Sequence, residues 1–594
     1  MTAKAKSKVK EFELNEEFEQ KYSDITKIYT ISKVLILEHY TGALIQSKYY
    51  DDDSIKTIKE LREALIKKQA ISVDFDIEGF LGAFAQLLAR SILQEAQQEE
   101  TQVREEQQQK NSLQEEIELL REQHQNITPE DWTLTLQEKY QNLYNVVQNE
   151  MSEIWPGLEF ELSVFRVLNI GGCTLPFIGI ILGRPSSYKT VIIELLKKWH
   201  NTFYTDNFTA RSFVSHSTSV EPEDLEKIDM LPRLRGRILL TPELSPMFTT
   251  KEEDLTQLLG IITRIADGHG YSSDSGAHGH RGYDEEIMFT WIGAAVDIPY
   301  KVYKILNNLG HRLYFFRIQF PEETSDQLLE YAATGEDFNN KKLKVQTALF
   351  DYLKWFEIGP NLEPDKKMKW DHTQDDRAAL KIIVGMADLL SFLRCIAQVW
   401  ETKYSEGSDY AYSISQREVP RRAVTALSNL ARGHALLAGR NYITMDDVPL
   451  VIKTAMDSAQ IERVSMFNLL LAYGGKLTTT QILQSLNVAR KTALRTMVEF
   501  KAIGLVDLED FHEEGQNNLS KRIVINSRFN WLLEDSVITK VFPHTQPFFL
   551  QPGGGDGQSD NNNTSDIEDI ERANAEARAK YDAARKNIFT ARKK

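Results

Sequence analysis

The stretch FIGIILGRPSSYKTVIIELLKKW, residues 177–199, constrains the fold more than any other part of the chain. An apolar run breaks at a glycine and resumes as an amphipathic helical pattern. A short apolar run bounded by a turn is the signature of a buried strand. A strand leading through a tight turn into a helix belongs to a parallel sheet covered by helices. The expected fold class is therefore α/β. The turn is GRPSSYKT: Gly183, Arg184, Pro185, Ser186, Ser187, Tyr188, Lys189 and Thr190. In a loop of this kind, backbone N–H groups face phosphate oxygens. Lys189 would bridge the β- and γ-phosphates, and the Thr190 hydroxyl would hold Mg²⁺. ATP and Mg²⁺ are the expected cofactors. The usual pattern has glycine immediately before the lysine, and here Tyr188 replaces it.

Three further apolar runs follow in the order such a site needs. RGRILLTPELSPMF, 235–248, leads to Glu243 at the end of a strand, where a carboxylate can polarise an attacking water. Thr241 and Pro242 stand where an aspartate usually precedes that carboxylate. EEIMFTWIGAAVDIP, 285–299, ends in Asp297, placed to face a γ-phosphate. RLYFFRIQF, 312–320, opens on Arg312, which can reach the nucleotide of a neighbouring subunit.

Taken in order, these motifs resemble the AAA+ class of P-loop ATPases. Within it they look most like the minichromosome-maintenance helicase branch and its mobile-element relatives. That family's loop reads G-D-P-G-x-A-K-S and shares its Gly, Pro, Lys and hydroxyl positions with GRPSSYKT. The resemblance implies a hairpin or pore-facing loop over 268–283, with His269, His278, His280 and Arg281, able to touch nucleic acid. It implies Asn at the position of Asp297 and an arginine finger at Arg312. REVPRRAVTALSNLARGHALLAGRNYITMDDVPLVIKTAM, 417–456, resembles an AAA+ lid. There the resemblance makes Arg421 the second sensor, with Arg422 beside it.

The 594 residues exceed one core and divide into several expected units. These are a helical N-terminal domain over 1–92 and a Gln/Glu-rich helix or coiled coil over 93–127. A helical entry segment over 128–175 leads to the core at 176–325 and a helical lid at 326–460. A winged helix over 461–540, a flexible linker over 541–566 and a basic helix over 567–594 complete the chain. In the winged helix, KLTTTQILQSLNVARKTALRTMVEF gives two helices around Asn487, followed by hairpin strands. Arg490, Lys491 and Arg495 on the second helix would meet phosphates or base edges if the module binds DNA. Acidic residues in the wing, Glu509, Asp510, Glu513 and Glu514, point equally to protein docking.

A net charge of −16 opposes bulk attraction to single- or double-stranded DNA, so nucleic-acid contact must be local. No apolar run spans a bilayer, so no membrane contact is expected. Two cysteines and the absence of an apolar leader fit a cytoplasmic location. The expected partners are further copies of the chain in a ring, and another protein held through the N-terminal region. Two functions stay open at this point. One is an ATP-hydrolysing, helicase-like motor on DNA in replication, a mobile element or defence. The other is an ATP-dependent switch or scaffold with weak or no hydrolysis.

Overall fold

The computed structural model describes four strands between Val9 and Lys48, then residues 108–534. Within the latter it omits 216–223, 276–278, 321–323, 327–328, 330–336, 361, 364–365, 405–406, 415–416 and 513–518. The linker expected at 541–566 and the basic helix at 567–594 lie outside the described residues.

The chain has two compact units, Met1–Ser112 and Leu113–Lys594. The first corrects an expectation. Helices were expected across 1–92, but an antiparallel sheet of order β1-β2-β3-β4 is found. Its strands are β1 (Val9–Phe12), β2 (Ile25–Ile31), β3 (Val34–His39) and β4 (Leu44–Lys48). The reason is visible in ITKIYTI and VLILEH. Both are rich in β-branched residues, which suit a pleated surface better than a helix. Of the expected Gln/Glu-rich helix over 93–127, residues 108–127 are described; 108–123 are helical and the chain turns at 124–126.

The second unit is built on a five-stranded parallel sheet of order β11-β5-β10-β7-β6. Before it come two helices, α1 (Pro129–Glu150) and α2 (Trp155–Arg166). Helix α1 starts where Thr128 caps the Asp131 N–H and Pro129 takes the first turn. The sheet strands are β5 (Phe177–Leu182), β6 (Thr202–Tyr204), β7 (Ile238–Thr241), β10 (Thr290–Ala295) and β11 (Leu313–Arg317). All residues of β5, β7 and β10 are buried, which explains why those runs are apolar rather than alternating. Between them lie α3 (Lys189–Leu195), α4 (Glu252–Ile265) and α5 (Tyr300–Leu309). An antiparallel hairpin of β8 (Tyr271–Ser275) and β9 (Gly279–Tyr283) precedes β10.

Past β11 the chain was expected to be helical to residue 460. It contains α6 (Phe338–Glu357), α7 (Arg377–Leu393), α8 (Arg421–Leu437) and α9 (Val448–Asp457). It also contains an unexpected antiparallel hairpin of β12 (Ala397–Tyr404) and β13 (Gly407–Ile414). The alternation DYAYSI in β13, with Tyr410, Tyr412 and Ile414 on one face, is period two, and a helical reading of this stretch overlooks it. The final module has α10 (Ile461–Ala472), α11 (Thr479–Leu486) and α12 (Arg490–Ala502). Its small antiparallel sheet is ordered β14-β16-β15, from β14 (Lys476–Thr478), β15 (Val506–His512) and β16 (Leu519–Ile525). Thr478 and Gln481 form a capping box on α11, and Asn487 ends that helix in the left-handed region at φ 47°.

Helices α8 and α9 are tied to the sheet by its edge. Strand β11 pairs with β5 on one side only, so its outer backbone groups need other partners. Ser458 Oγ accepts the Phe315 N–H at 2.8 Å, and Asp457 Oδ2 accepts the Arg317 N–H at 2.7 Å. The buried Arg394 donates to the Leu313 and Ser458 carbonyls at 2.8 and 3.1 Å.

Inside the helical part, His434 Nδ1 lies 2.7 Å from the fully buried Asp447, which also takes Arg440. Burial opposes charge on His434, but the hydrogen bonds with Asp447 and Glu159 outweigh it and raise its pKa to about 9. The unfolded imidazole titrates near 6.5. Its stabilisation is therefore complete below that pH and is lost as pH rises to about 9. Denaturant titrations should show wild type losing roughly 2–3 kcal/mol more than His434→Gln between those limits.

Candidate phosphate and nucleotide site

Strand β5 ends at Leu182, beside Ala295 of β10 and Arg317 of β11 in register. The loop Gly183–Thr190 therefore leaves the middle of the sheet at its carboxyl edge, where ligands of open α/β sheets bind. Gly183 admits no side chain, since a Cβ there would lie 2.6 Å from Ser187 Oγ and 2.9 Å from Ile318. Ser186 and Tyr188 are left-handed, at φ 65° and 53°. Left-handed residues in a tight loop are the backbone pattern of anion-binding nests.

Tyr188 thus adopts the conformation that glycine would supply at this position, at a local cost of about 1 kcal/mol. Its ring offsets the strain. It stacks on Phe338, at 6.1 Å and 14°, and tilts against Phe320 at 5.8 Å. The tyrosine therefore serves as a packing link between the loop and α6.

Lys189 is buried, and its ammonium donates to the Gly183 and Arg184 carbonyls at 2.7 Å each and to Ser187 Oγ at 3.2 Å. Burial lowers its pKa, opposed by the charge of Glu243. Thr190, Arg184, Pro185 and Ser186 are exposed. Glu243 is exposed too, and its Oε1 accepts the Ser245 N–H at 2.8 Å. The carboxylate is aimed by its own chain. The Leu244 N–H donates to the Ala294 carbonyl at 2.7 Å, and Leu244 packs over Gly293, where a Cβ would lie 2.2 Å from its methyl. Thr241 is buried and accepts the Trp291 indole N–H at 2.7 Å, so it belongs to the core and not to the site.

Asp297 follows β10, and its carboxylate takes Arg317 Nη2 at 3.1 Å. The residue that sequence reasoning overlooked is this Arg317, the last of β11 and the register partner of Leu182. Its position at the carboxyl end of a strand next to the loop was the available signal. It also offsets the charge of Asp297.

Arg312 lies elsewhere. It precedes β11, five residues or about 16 Å of strand from Arg317. There it meets Asp267 at 3.2 and 3.3 Å, and Arg422 binds the same carboxylate. Burial raises the Asp267 pKa, but the hydrogen bonds of Arg312 and Arg422 outweigh this and hold it below the usual carboxylate range. Arg421 is exposed and adjacent to Arg422 at the start of α8. These arginines cluster at the amino end of β11, away from the loop.

Residues 414–457 match the AAA lid domain. The lid thus comprises α8 and α9, and Asp457 and Ser458 at the end of α9 help to complete the sheet edge. A solved structure similar over 66% of this chain and 76% of its own is "The A form apo structure of NrS-1 C terminal region-CTR". The identity is 10% and the TM-score 0.22. No curated protein matches the chain.

The proposed nucleic-acid residues are placed less openly than expected. Arg281 donates to the Ser215 carbonyl and to the buried Asp229 at 2.8 Å, which also takes the Tyr283 hydroxyl. This arginine pins the β8–β9 hairpin to the core. His280 pairs with Asp274 at 3.3 Å, His278 lies outside the described residues, and no cluster of metal-ligating side chains occurs among the described residues. Arg490, Lys491 and Arg495 are exposed on α12. However, Lys491 pairs with Glu401 of β12, and its carbonyl accepts the Tyr410 hydroxyl of β13 at 3.2 Å. The unexpected hairpin therefore rests on the helix that would read DNA. Among the described residues no helix is long and apolar enough to cross a membrane.

The strain and packing at residue 188 separate cleanly by substitution. Tyr188→Gly keeps the left-handed turn and loses two ring contacts worth about 0.5–1.5 kcal/mol each. Its thermal stability should fall while nucleotide affinity, read by calorimetry, stays within about threefold. Tyr188→Val loses both, and its affinity should fall further because a β-branched residue resists positive φ.

Proposed function

We propose that the chain is an AAA+ ATPase that binds ATP and Mg²⁺ and hydrolyses ATP as a ring of identical subunits. The observation that carries this reading is the division of charged groups between the two ends of the sheet. Lys189, Thr190, Glu243, Asp297 and Arg317 gather at the carboxyl edge. Arg312, Arg421 and Arg422 gather at the amino end of β11. A subunit so built holds phosphates at one end and offers arginines to a neighbour at the other.

The loop suits a polyphosphate by its buried ammonium, its left-handed residues and a glycine that admits no Cβ. ATP would supply the scissile anhydride, and Thr190 would hold the Mg²⁺ that supplies charge neutralisation at its oxygens. Lys189 exchanges the carbonyls of Gly183 and Arg184 for phosphate oxygens. Glu243 swings from the Ser245 amide to orient and polarise water. Asp297 positions Arg317 beside the terminal phosphate, and Arg312 and Arg421 of the adjacent subunit stabilise the charge that develops there.

The nucleic-acid step is the finer part of the proposal: a helicase-like motor with DNA as the working substrate. A second reading, an ATP-dependent switch that docks partner proteins, is favoured by the Lys491–Glu401 pair, which covers part of α12. ATP turnover with and without single-stranded DNA separates the two. The motor reading expects DNA-stimulated turnover that Glu243→Gln reduces by at least about 100-fold. ATP binding with no turnover in either condition would overturn it in favour of the switch.

Assembly is tested by mixing. Lys189→Ala and Arg312→Ala should each be inactive alone, yet their mixture should regain a sizeable fraction of the activity, because some interfaces then carry both wild-type halves. A mixture as inactive as its components means that Arg312 does not act across subunits.

A further inference from the structure

Asp267 follows α4 on a turn that its own backbone holds. Its N–H donates to the Arg264 carbonyl at 3.2 Å. The next residue, Gly268, donates to the Ile265 carbonyl and accepts the Ile287 N–H, at 3.0 Å each. A carboxylate so placed can fix what it binds. It takes Arg312 by its side edge: Nε meets Oδ1 at 3.2 Å and Nη2 meets Oδ2 at 3.3 Å. Nη1 donates to the Leu309 carbonyl at 3.2 Å. Gly310 makes room for this arrangement, since a Cβ there would overlap Nη1. Three of the five guanidinium N–H groups are thus engaged inside the chain, which leaves one on each terminal nitrogen.

The same Oδ1 takes Arg422 Nη1 from the lid. Arg422 is the second residue of α8, and Arg421 before it is exposed. The carboxylate therefore sets the start of the lid helix as well as the core arginine. Charge does not balance here. Arg312, Arg421 and Arg422 stand against two carboxylates, Asp267 and the lid's Glu418, whose Oε2 accepts the His311 N–H at 3.4 Å. A surplus cation with N–H groups still to donate suits an anion brought from outside the chain.

We propose that Asp267 is a positioning residue for hydrolysis in the adjacent subunit. It fixes the Arg312 guanidinium by one edge, so that the remaining N–H groups meet that subunit's terminal phosphate, and it holds Arg422 so that Arg421 is carried to the same place. The inference rests on the reading in which Arg312 acts across subunits, and it adds the residue that aims it. An arginine left to swing among rotamers would lose that freedom at every turnover, whereas one already held is ordered before the phosphate arrives.

ATP turnover by mixed full-length subunits tests this. Asp267→Asn keeps the shape and loses the charge. Alone, it should turn over saturating ATP about 10–100-fold more slowly than wild type. Its calorimetric affinity for ATP should stay within about threefold, because its own phosphate loop is intact. Mixed with Lys189→Ala it should regain a sizeable fraction of the activity, since some interfaces then join an intact loop to an intact Asp267. The mixture of Arg312→Ala with Lys189→Ala runs beside it. If that mixture is inactive, or wild type does not turn over ATP, the reading across subunits is overturned and this inference with it. If that mixture is active while Asp267→Asn matches or exceeds wild-type turnover, the inference alone is overturned. A loss that mixing does not relieve, or one that comes with weakened ATP binding, makes Asp267 a folding residue and overturns it likewise. If Asp267→Asn fails to fold, Asp267→Glu decides, because it keeps the charge and moves it by one methylene. Turnover about tenfold slower and relieved by mixing supports the inference, and wild-type turnover overturns it.

Discussion

Everything at the candidate site depends on the complete burial of β5 between two parallel neighbours. Its six residues are buried without exception, and β10 and β11 hydrogen-bond to it on either side. A strand in that position cannot slip by one residue without turning its whole apolar set. Its register with Ala295 and Arg317 is thereby held, and Gly183 leaves the sheet at one defined point. The loop inherits its place from the strand. Glu243 inherits its place from Gly293, whose missing side chain lets Leu244 cross the end of β10.

Polar groups then decide how the helical lid meets this sheet. The outer edge of β11 is closed by Ser458, Asp457 and Arg394 rather than by another strand. Side chains satisfy an edge with a direction that apolar packing lacks, so the lid has one angle on the sheet. At the amino end of the same strand, Asp267 holds Arg312 and Arg422 together. One carboxylate thus links a core arginine to a lid arginine. A change at either partner leaves the other charge beside it partly unmet.

Local patterns made the α/β core readable. Apolar runs ending in Gly183, Glu243 and Asp297 are short-range signals, because a buried parallel strand must be apolar throughout. The matching of 414–457 to an AAA lid agrees with the Pro-Arg helix and the capped Thr444–Asp447 turn. Two sheets were misread. The strands from Val9 to Lys48 and the β12–β13 hairpin lie in stretches where charged and amide residues interrupt the apolar pattern. There helix and strand periods compete over few residues, and cross-strand partners settle the outcome.

The sequence by itself determined that a tight loop ending in Lys189 and Thr190 follows a buried strand, that carboxylates follow two further strands, and that a lid follows. Each is a statement about neighbours along the chain. The tertiary structure alone decided that Arg317 reaches Asp297 while Arg312 turns to Asp267, that Arg281 is committed to Asp229, and that Lys491 meets Glu401. An arginine's long side chain can serve any carboxylate within reach. Which one it finds depends on sheet order and crossing helices, and these are set by packing between residues far apart in the chain.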